Sequence, residues 1–336
     1  MEQNNINVVY AADDNFIPVM GVSIVSLLKN NRDMSNINVT ILATNVSELN
    51  KQKVNDLFNK YDRSLPRWID ATNIEDTLGQ KVNQDRGSVS QYARIFLNDI
   101  FGEEVDRVLY LDCDTLIVDS IRDLWNINLQ GNTIAALKDS FSKYYRKNIS
   151  LDQNDIMFNS GVMLIDMDKW RQNKVEEKVL NFIKEKNGNV QQGDQGVLNA
   201  VLSKQTLPIS PSYNFATVFT DLSYDQMVKY RKPVNFYSED EIIEAQQDLH
   251  IIHYTSHFFS PRPWQEGCTN KYLDLWLDYR KMTPWGNEKL DTVNNSFKKK
   301  KVLDMYKKMP KMTLFLASIF QVYLRPFKNR VTYKRN

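Results

Sequence analysis

The chain has 336 residues, 42% of them hydrophobic and 25% charged, with a formal net charge of +2. This composition excludes disordered and collagen-like chains, and the length suits one large α/β domain with additions or two modest domains. The charge is uneven: from Lys298 onward twelve Lys and Arg face a single acid, Asp304, so a tail of +11 follows a body of −9.

The first half alternates strand and helix patterns. "INVVYAA" (6–12) is a β-branched run, and "FIPVMGVSIVSLLKNN" (16–31) follows with helical spacing up to Leu28 and Pro18 in its first turn. "INVTILAT" (37–44) predicts a second strand, "SELNKQKVNDLFNKYD" (47–62) a helix capped by Ser47, and "RWIDA" a third strand. "SQYARIFLNDIF" (90–101) predicts a helix and "RVLYLD" (107–112) a strand. Such alternation means a mostly parallel sheet flanked by helices, with ligands at the carboxyl ends of its strands. The second half is less regular. "TIAALKD" (133–139), "FNSGVMLID" (158–166) and "LHIIHYT" (249–255) read as strands; helices are expected near 168–187, 194–203 and 271–282; "RKPVNFYSEDEI" and "FFSPRPW" read as loops. No linker rich in Gly, Pro or Ser precedes about residue 286. Residues 1–285 are therefore expected to form one compact domain and 286–336 a basic helical tail.

"RVLYLDCDTLIV" (107–118) places Asp112 and Asp114 inside an apolar run. Side chains at i and i+2 of an extended segment share a side, so the two carboxylates repel unless a cation sits between them. A solvated turn with an Asp cap is the simpler reading of a bare D-x-D, but the flanking "VLYL" and "LIV" anchor this pair in a core. The histidines, His250, His253 and His257, lie within eight residues. Ile251, Ile252, Pro261 and Pro263 favour a strand entering a loop, which argues against a three-histidine zinc site. One His joining two Asp would suit Mn²⁺, which accepts oxygen and imidazole ligands.

Two families share the look of "LYLDCDTL". Haloacid-dehalogenase phosphatases read D-x-D-x-T, but Thr115 stands one position early here and no later Asp pair completes a magnesium site. The chain resembles glycosyltransferase family 8, retaining metal-dependent enzymes of the GT-A fold, far more fully. The resemblance spans about Val8 to Trp264 and rests on ordered motifs: "VVYAADDNF", "YARIFL", "RVLYLDCDTLIV", "AALKD", "FNSGVMLIDMDKWR", "GDQGVLN", "SYNF" and "HYTS…RPW".

The resemblance implies a UDP-sugar donor carrying glucose or galactose, and a saccharide or lipid-linked acceptor in envelope or surface polysaccharide synthesis. It places Ala11, Asp13, Asn15 and Phe16 at the nucleotide, although Asp13 or Asn15 could equally cap the following helix. It makes Asp112, Asp114 and His253 ligands of Mn²⁺, with Mg²⁺ as the alternative. It sets Arg94, Asp139, Asn159, Gly161, Asp194 and Gln195 around the donor sugar, with Gln195 beneath the anomeric carbon and Asp194 the residue to check for a covalent intermediate. Many members read H-x-x-G-x-x-K-P-W near the domain's end. Here Ser256 replaces the glycine, Arg262 the lysine, and the loop is three residues longer. Arg262 keeps the charge for the diphosphate and can bind it bidentately. A nucleotide-sugar-binding module without transfer activity is the non-enzymatic alternative.

Cys113 and Cys268 form no disulfide framework, and "MEQNNINVVYAADD" has no secretory pattern, which together point to the cytoplasm. The apolar run at 312–324 is too short to span a bilayer. Its mixture with lysines fits a disordered basic tail or a packed terminal helix, and, as the functional reading, a peripheral anchor on an anionic inner leaflet. No nucleic-acid recognition motif accompanies the basic tail.

Overall fold

The computed structural model describes residues 5–82, 89–255, 261–292 and 297–332. Its strands, in chain order, are β1 (Asn5–Asp13), β2 (Asn36–Thr44), β3 (Arg67–Asp70), β4 (Arg107–Leu111), β5 (Thr115–Ile117), β6 (Ile134–Lys138), β7 (Phe158–Asp166), β8 (Thr206–Pro208), β9 (Phe215–Ala216) and β10 (Ile251–His253). Seven of them form the main sheet in the order β3-β2-β1-β4-β7-β6-β8. All neighbours run parallel except β7, which is antiparallel to β4 and to β6.

Both faces of this sheet are covered, which explains why its strands read as continuous apolar runs. In β1, Ile6, Val8 and Tyr10 enter one core cluster while Val9 enters the other; in β4, Leu109 and Leu111 face the first and Val108 and Tyr110 the second. The helix Ile17–Asn30 is buried along nearly its whole length on the first face. Because β1 lies between β2 and β4, the loops after β1 and β4 open on opposite sides of a switch in strand order. That is where an open α/β sheet leaves a crevice. A second, three-stranded sheet crosses the end of β4: β10 pairs antiparallel with β5 and parallel with β9.

Several elements depart from the periodicity. The stretch 90–101 is a 3-10 run, Val89–Ile95, followed by a short helix, Leu97–Ile100. Here the Arg94 side chain takes the Gln91 carbonyl that an α-helix would have used, through Nε at 3.1 Å. The stretch 168–187 breaks into Met167–Gln172 and Val175–Glu185 around Lys174, whose φ is 50°. The loop-like "RKPVNFYSEDEI" instead starts a helix, Glu239–Gln247, through a capping box between Ser238 and Glu241.

The tail forms helices Phe297–Lys308 and Pro310–Ile319, a π-helical turn Phe320–Leu324 and a last helix Arg325–Thr332. One side packs on the body. Leu314 and Val322 are buried, Ser318 Oγ donates to the Lys229 carbonyl (2.8 Å), and Tyr145 Oη donates to the Gln321 carbonyl (2.7 Å). The other side exposes Met309, Met312, Leu316, Phe320, Tyr323 and Phe327, spaced three or four residues apart. No helix among the described residues is long and apolar enough to cross a membrane.

Candidate active site and metal centre

Asp112 to Asp114 form the turn that joins β4 to β5, so they do not lie within one extended strand. The Asp112 carbonyl accepts from both Thr115 N (3.2 Å) and Thr115 Oγ1 (2.8 Å). The turn is not a freely solvated one: Asp114 is only 8% exposed, and the Asp112 side chain 27%. Cys113 points away into the core, with Sγ 3.2 Å from the Ala11 carbonyl, and burial pushes its thiol pKa well up.

The β5–β10 pairing sets His253 opposite Thr115, directly across the turn. His253 Nε2 lies 3.1 Å from Asp114 Oδ1 and 3.7 Å from Asp112 Oδ2. One potential ligand atom from each of the three residues falls within 4.8 Å of the others. Two carboxylates and an imidazole are a donor set for a divalent cation that takes oxygen and nitrogen. Burial alone would raise the Asp114 pKa, but His253 and then Arg262 outweigh it and hold the carboxyl at about 2. Asp114 is thus kept as an anion.

Arg94 ties this turn to the rest of the site. It is buried, and its guanidinium pairs with Asp112 Oδ1 (Nη2, 2.8 Å) and Asp194 Oδ2 (Nε, 3.0 Å) and donates to the Ser160 carbonyl (Nη1, 2.8 Å). It also lies over the Tyr110 ring at 4.0 Å, and the Tyr110 hydroxyl donates to Asp112 Oδ1 (3.2 Å). Burial opposes the charge on Arg94, but Asp112 and Asp194 outweigh it and push its pKa up. Removing one partner from such a buried pair costs roughly 3–5 kcal/mol. Arg262 reaches the cluster from the opposite side, with Nη1 2.8 Å from Asp114 Oδ2, and lies over Trp264.

Gln195 sits on the first turn of the helix Gly193–Leu202 with both ends of its amide engaged. Nε2 donates to Asp139 Oδ2 (3.2 Å) and Oε1 accepts from Ser160 N (3.4 Å). Asn159 Nδ2 donates to the same Asp139 oxygen (3.4 Å). Two glycines make this packing possible. A Cβ on Gly161 would lie 2.2 Å from His253 Cε1 and 2.8 Å from Asp112 Oδ2, and one on Gly196 would lie 1.7 Å from the Gln191 carbonyl oxygen.

A cavity of about 320 Å³ opens where β1 and β4 end. Ala11, Asp13, Asn15, Phe16, Arg94, Asp112, Asp114, Asp194, Gln195 and Arg262, all singled out in the sequence, line it. Asp139, Asn159, Gly161 and His253 lie behind this lining and support it through the contacts above. Asp13 also caps the turn Asp14–Phe16 by accepting from Phe16 N (3.2 Å), as its capping alternative anticipated. Phe16 meets Trp264 edge-on at 5.9 Å. Ser90, Gln91, Ser160 and Gln192 line the cavity without having been singled out. Gln91 Nε2 and Gln192 Oε1 are buried with no hydrogen-bond partner among the described residues. The available signal was the polar run "VQQGDQG" between apolar stretches, in which Gln192 takes a φ of 64°. Four acids against two arginines give the cavity net negative charge, so an anionic diphosphate would gain from entering together with a cation. The longer loop at 256–260, including Ser256 and His257, lies outside the described residues.

The sheet order, the crevice and the aspartate turn define a GT-A transferase. The chain belongs to glycosyl transferase family 8, whose sequence profile matches residues 7–268. It is 26% identical to general stress protein A of Bacillus subtilis over 83% of this chain and 94% of that protein. It is 26% identical to the lipopolysaccharide 1,2-glucosyltransferase of Escherichia coli over 84% of this chain and 80% of that protein. A crystal structure of the galactosyltransferase LgtC in complex with donor and acceptor sugar analogs superposes with a TM-score of 0.67 at 25% identity, covering 83% of this chain and 96% of that one. The chain is a glycosyltransferase, and the phosphatase reading of the aspartate turn falls with this match.

Proposed function

We propose that this enzyme moves glucose or galactose from a UDP-sugar to a saccharide or lipid-linked acceptor of the cell envelope or surface polysaccharide, with retention at the anomeric carbon. The observation that carries the reading is the convergence of Asp112, Asp114 and His253 beside a cavity lined by Arg94, Asp194, Gln195 and Arg262. Mn²⁺ suits this donor set best; bound there, it would neutralise charge on the departing diphosphate. Ala11, Asp13, Asn15 and Phe16 take the nucleoside at the end of β1. Arg262 binds the diphosphate, and Arg94, Asp194 and Gln195 hold the donor sugar, supported from behind by Asp139, Asn159 and Gly161.

Front-face displacement fits these residues. The bond from the anomeric carbon to the phosphate oxygen breaks. The acceptor oxygen bonds to that carbon on the same face, and the hydroxyl proton passes to the leaving diphosphate. Gln195 is an amide and a poor nucleophile. Asp194 is buried and paired with Arg94, which lowers its nucleophilicity. A glycosylated Asp194 trapped and identified by mass spectrometry would overturn this scheme.

Residues 1–285 act as the catalytic domain and 286–336 as the element that attaches it to the cytoplasmic face of the membrane. The exposed apolar stripe of the tail, flanked by Lys307, Lys308, Lys311, Arg325 and Lys328, supports this. Each basic residue near an anionic surface contributes about 1 kcal/mol. The test of the catalytic reading is a Mn²⁺-dependent hydrolysis screen across nucleotide sugars. UDP-glucose or UDP-galactose turnover is expected; absence of hydrolysis with every donor would favour a binding module.

A further inference from the structure

Which nitrogen of His253 faces the aspartates is fixed by hydrogen bonds that run outward from the cluster. Gly161 N, which can only donate, lies 2.9 Å from one terminal atom of the Asn159 amide, so that atom is Oδ1. Asn214 lies 3.1 Å from the same oxygen and must present Nδ2 to it. The other end of the Asn214 amide, Oδ1, then faces His253 Nδ1 at 2.8 Å and accepts from it. Nδ1 therefore carries a proton, and Nε2 is the nitrogen presented to Asp114 and Asp112.

We infer that Asn214 is a positioning residue for the metal centre: it commits His253 to ligation through Nε2. Asn214 is fully buried at the entry to β9, whose parallel pairing with β10 sets Ala216 beside His253. The network does not stop at the metal cluster. Asn159 Nδ2 and Gln195 Nε2 share Asp139 Oδ2, so the orientation of His253 and that of Gln195 are set through one chain of amides. A ligating histidine anchored at its other nitrogen gains both a fixed tautomer and a fixed ring plane, and loss of such an anchor typically weakens metal binding by 10- to 100-fold.

The inference rests on the metal reading of the cluster, and the test separates the two. The full chain is labelled with ¹⁵N-histidine; its three histidines keep the spectrum tractable. Long-range ¹H–¹⁵N correlation reports the tautomer of His253, with and without Mg²⁺. The Mn²⁺ dissociation constant is read in parallel from the electron paramagnetic resonance signal of free Mn²⁺. Wild-type protein is expected to keep a proton on Nδ1 in both states and to bind Mn²⁺ through Nε2. Asn214→Ala should populate both tautomers and raise the dissociation constant roughly 10- to 100-fold. Asn214→Asp, which still accepts from Nδ1, should stay on the Nδ1–H tautomer and bind Mn²⁺ more tightly than Asn214→Ala. If Asn214→Ala does not fold, Asn214→Ser replaces it with the same expectation. Wild-type tautomer and affinity in the Ala or Ser variant would overturn the role of Asn214 while leaving the metal site intact. Failure of the wild-type protein to bind Mn²⁺ would overturn both.

Discussion

Gly161→Ala tests the geometry of the metal centre with one methyl group. The φ of Gly161 is not in the left-handed region, so alanine brings no backbone strain of its own. What it brings is a Cβ 2.2 Å from His253 Cε1 and 2.8 Å from Asp112 Oδ2, both well inside van der Waals contact. Neither neighbour yields freely. The His253 ring is held at both nitrogens, and Asp112 is held by Arg94 and by its own N–H to the Gly161 carbonyl at 2.7 Å. Overpacking of this kind costs about 1–3 kcal/mol. Relief by rotating the imidazole would move Nε2 off the aspartates, and misplaced ligation should cost a further ten-fold or more in metal affinity. Thermal unfolding with and without Mn²⁺ reads the two effects separately: the metal-free midpoint should drop by several degrees, and the shift gained on adding Mn²⁺ should shrink. A Gly161→Ala protein with wild-type Mn²⁺ affinity would refute the claim that the absent side chain makes room for His253.

Other expectations follow from the same geometry. Arg94→Lys keeps a charge but cannot bridge Asp112, Asp194 and the Ser160 carbonyl together, so kcat should fall about 100-fold in steady-state assays. The Asp114 carboxyl has a folded-state pKa depressed from 3.8 to about 2, so the stability it contributes is present above about pH 4 and is lost as pH falls toward 2. Acid unfolding of metal-free protein should show that limb, and Asp114→Asn should lack it. Phe315 and Phe327 are 64% and 65% exposed, so replacing both with Glu should leave the melting temperature unchanged. If they insert into lipid, each forfeits about 1.5–3 kcal/mol, and sedimentation with anionic vesicles should weaken at least ten-fold per residue. These substitutions are cleaner than truncation near residue 295, which would also uncover the surface around Met227 and Tyr230 that Leu314 covers.

Much of this was legible in the sequence because it is local. The runs of β1, β2, β4 and β7 are continuous and apolar, and the aspartates stand where β4 stops. The alternation of side chains in an extended strand was the wrong reason for expecting Asp112 and Asp114 to converge. A turn brings them together, and its burial comes from β10, 139 residues away from Asp114 in sequence. The amide chain through Asn214 and Asn159 left no local mark, since a buried asparagine looks like any other until its partners are known. The break at Arg94 was hidden for a similar reason: the partners that consume its guanidinium lie on the turn after β4, on β7 and on the helix beginning at Gly193. In the tail the excess of lysine was plain, but the exposed stripe emerged only once Leu314 and Val322 were seen to occupy the opposite side.

The central claim is that Asp112, Asp114 and His253 hold a cation that makes UDP-sugar cleavage possible. Hydrolysis of UDP-glucose and UDP-galactose by wild-type protein and Asp114→Ala, with Mn²⁺ or with chelator, tests it most directly. The account predicts turnover only by the wild-type protein with Mn²⁺; full activity of Asp114→Ala, or of the wild-type protein in chelator, would contradict it.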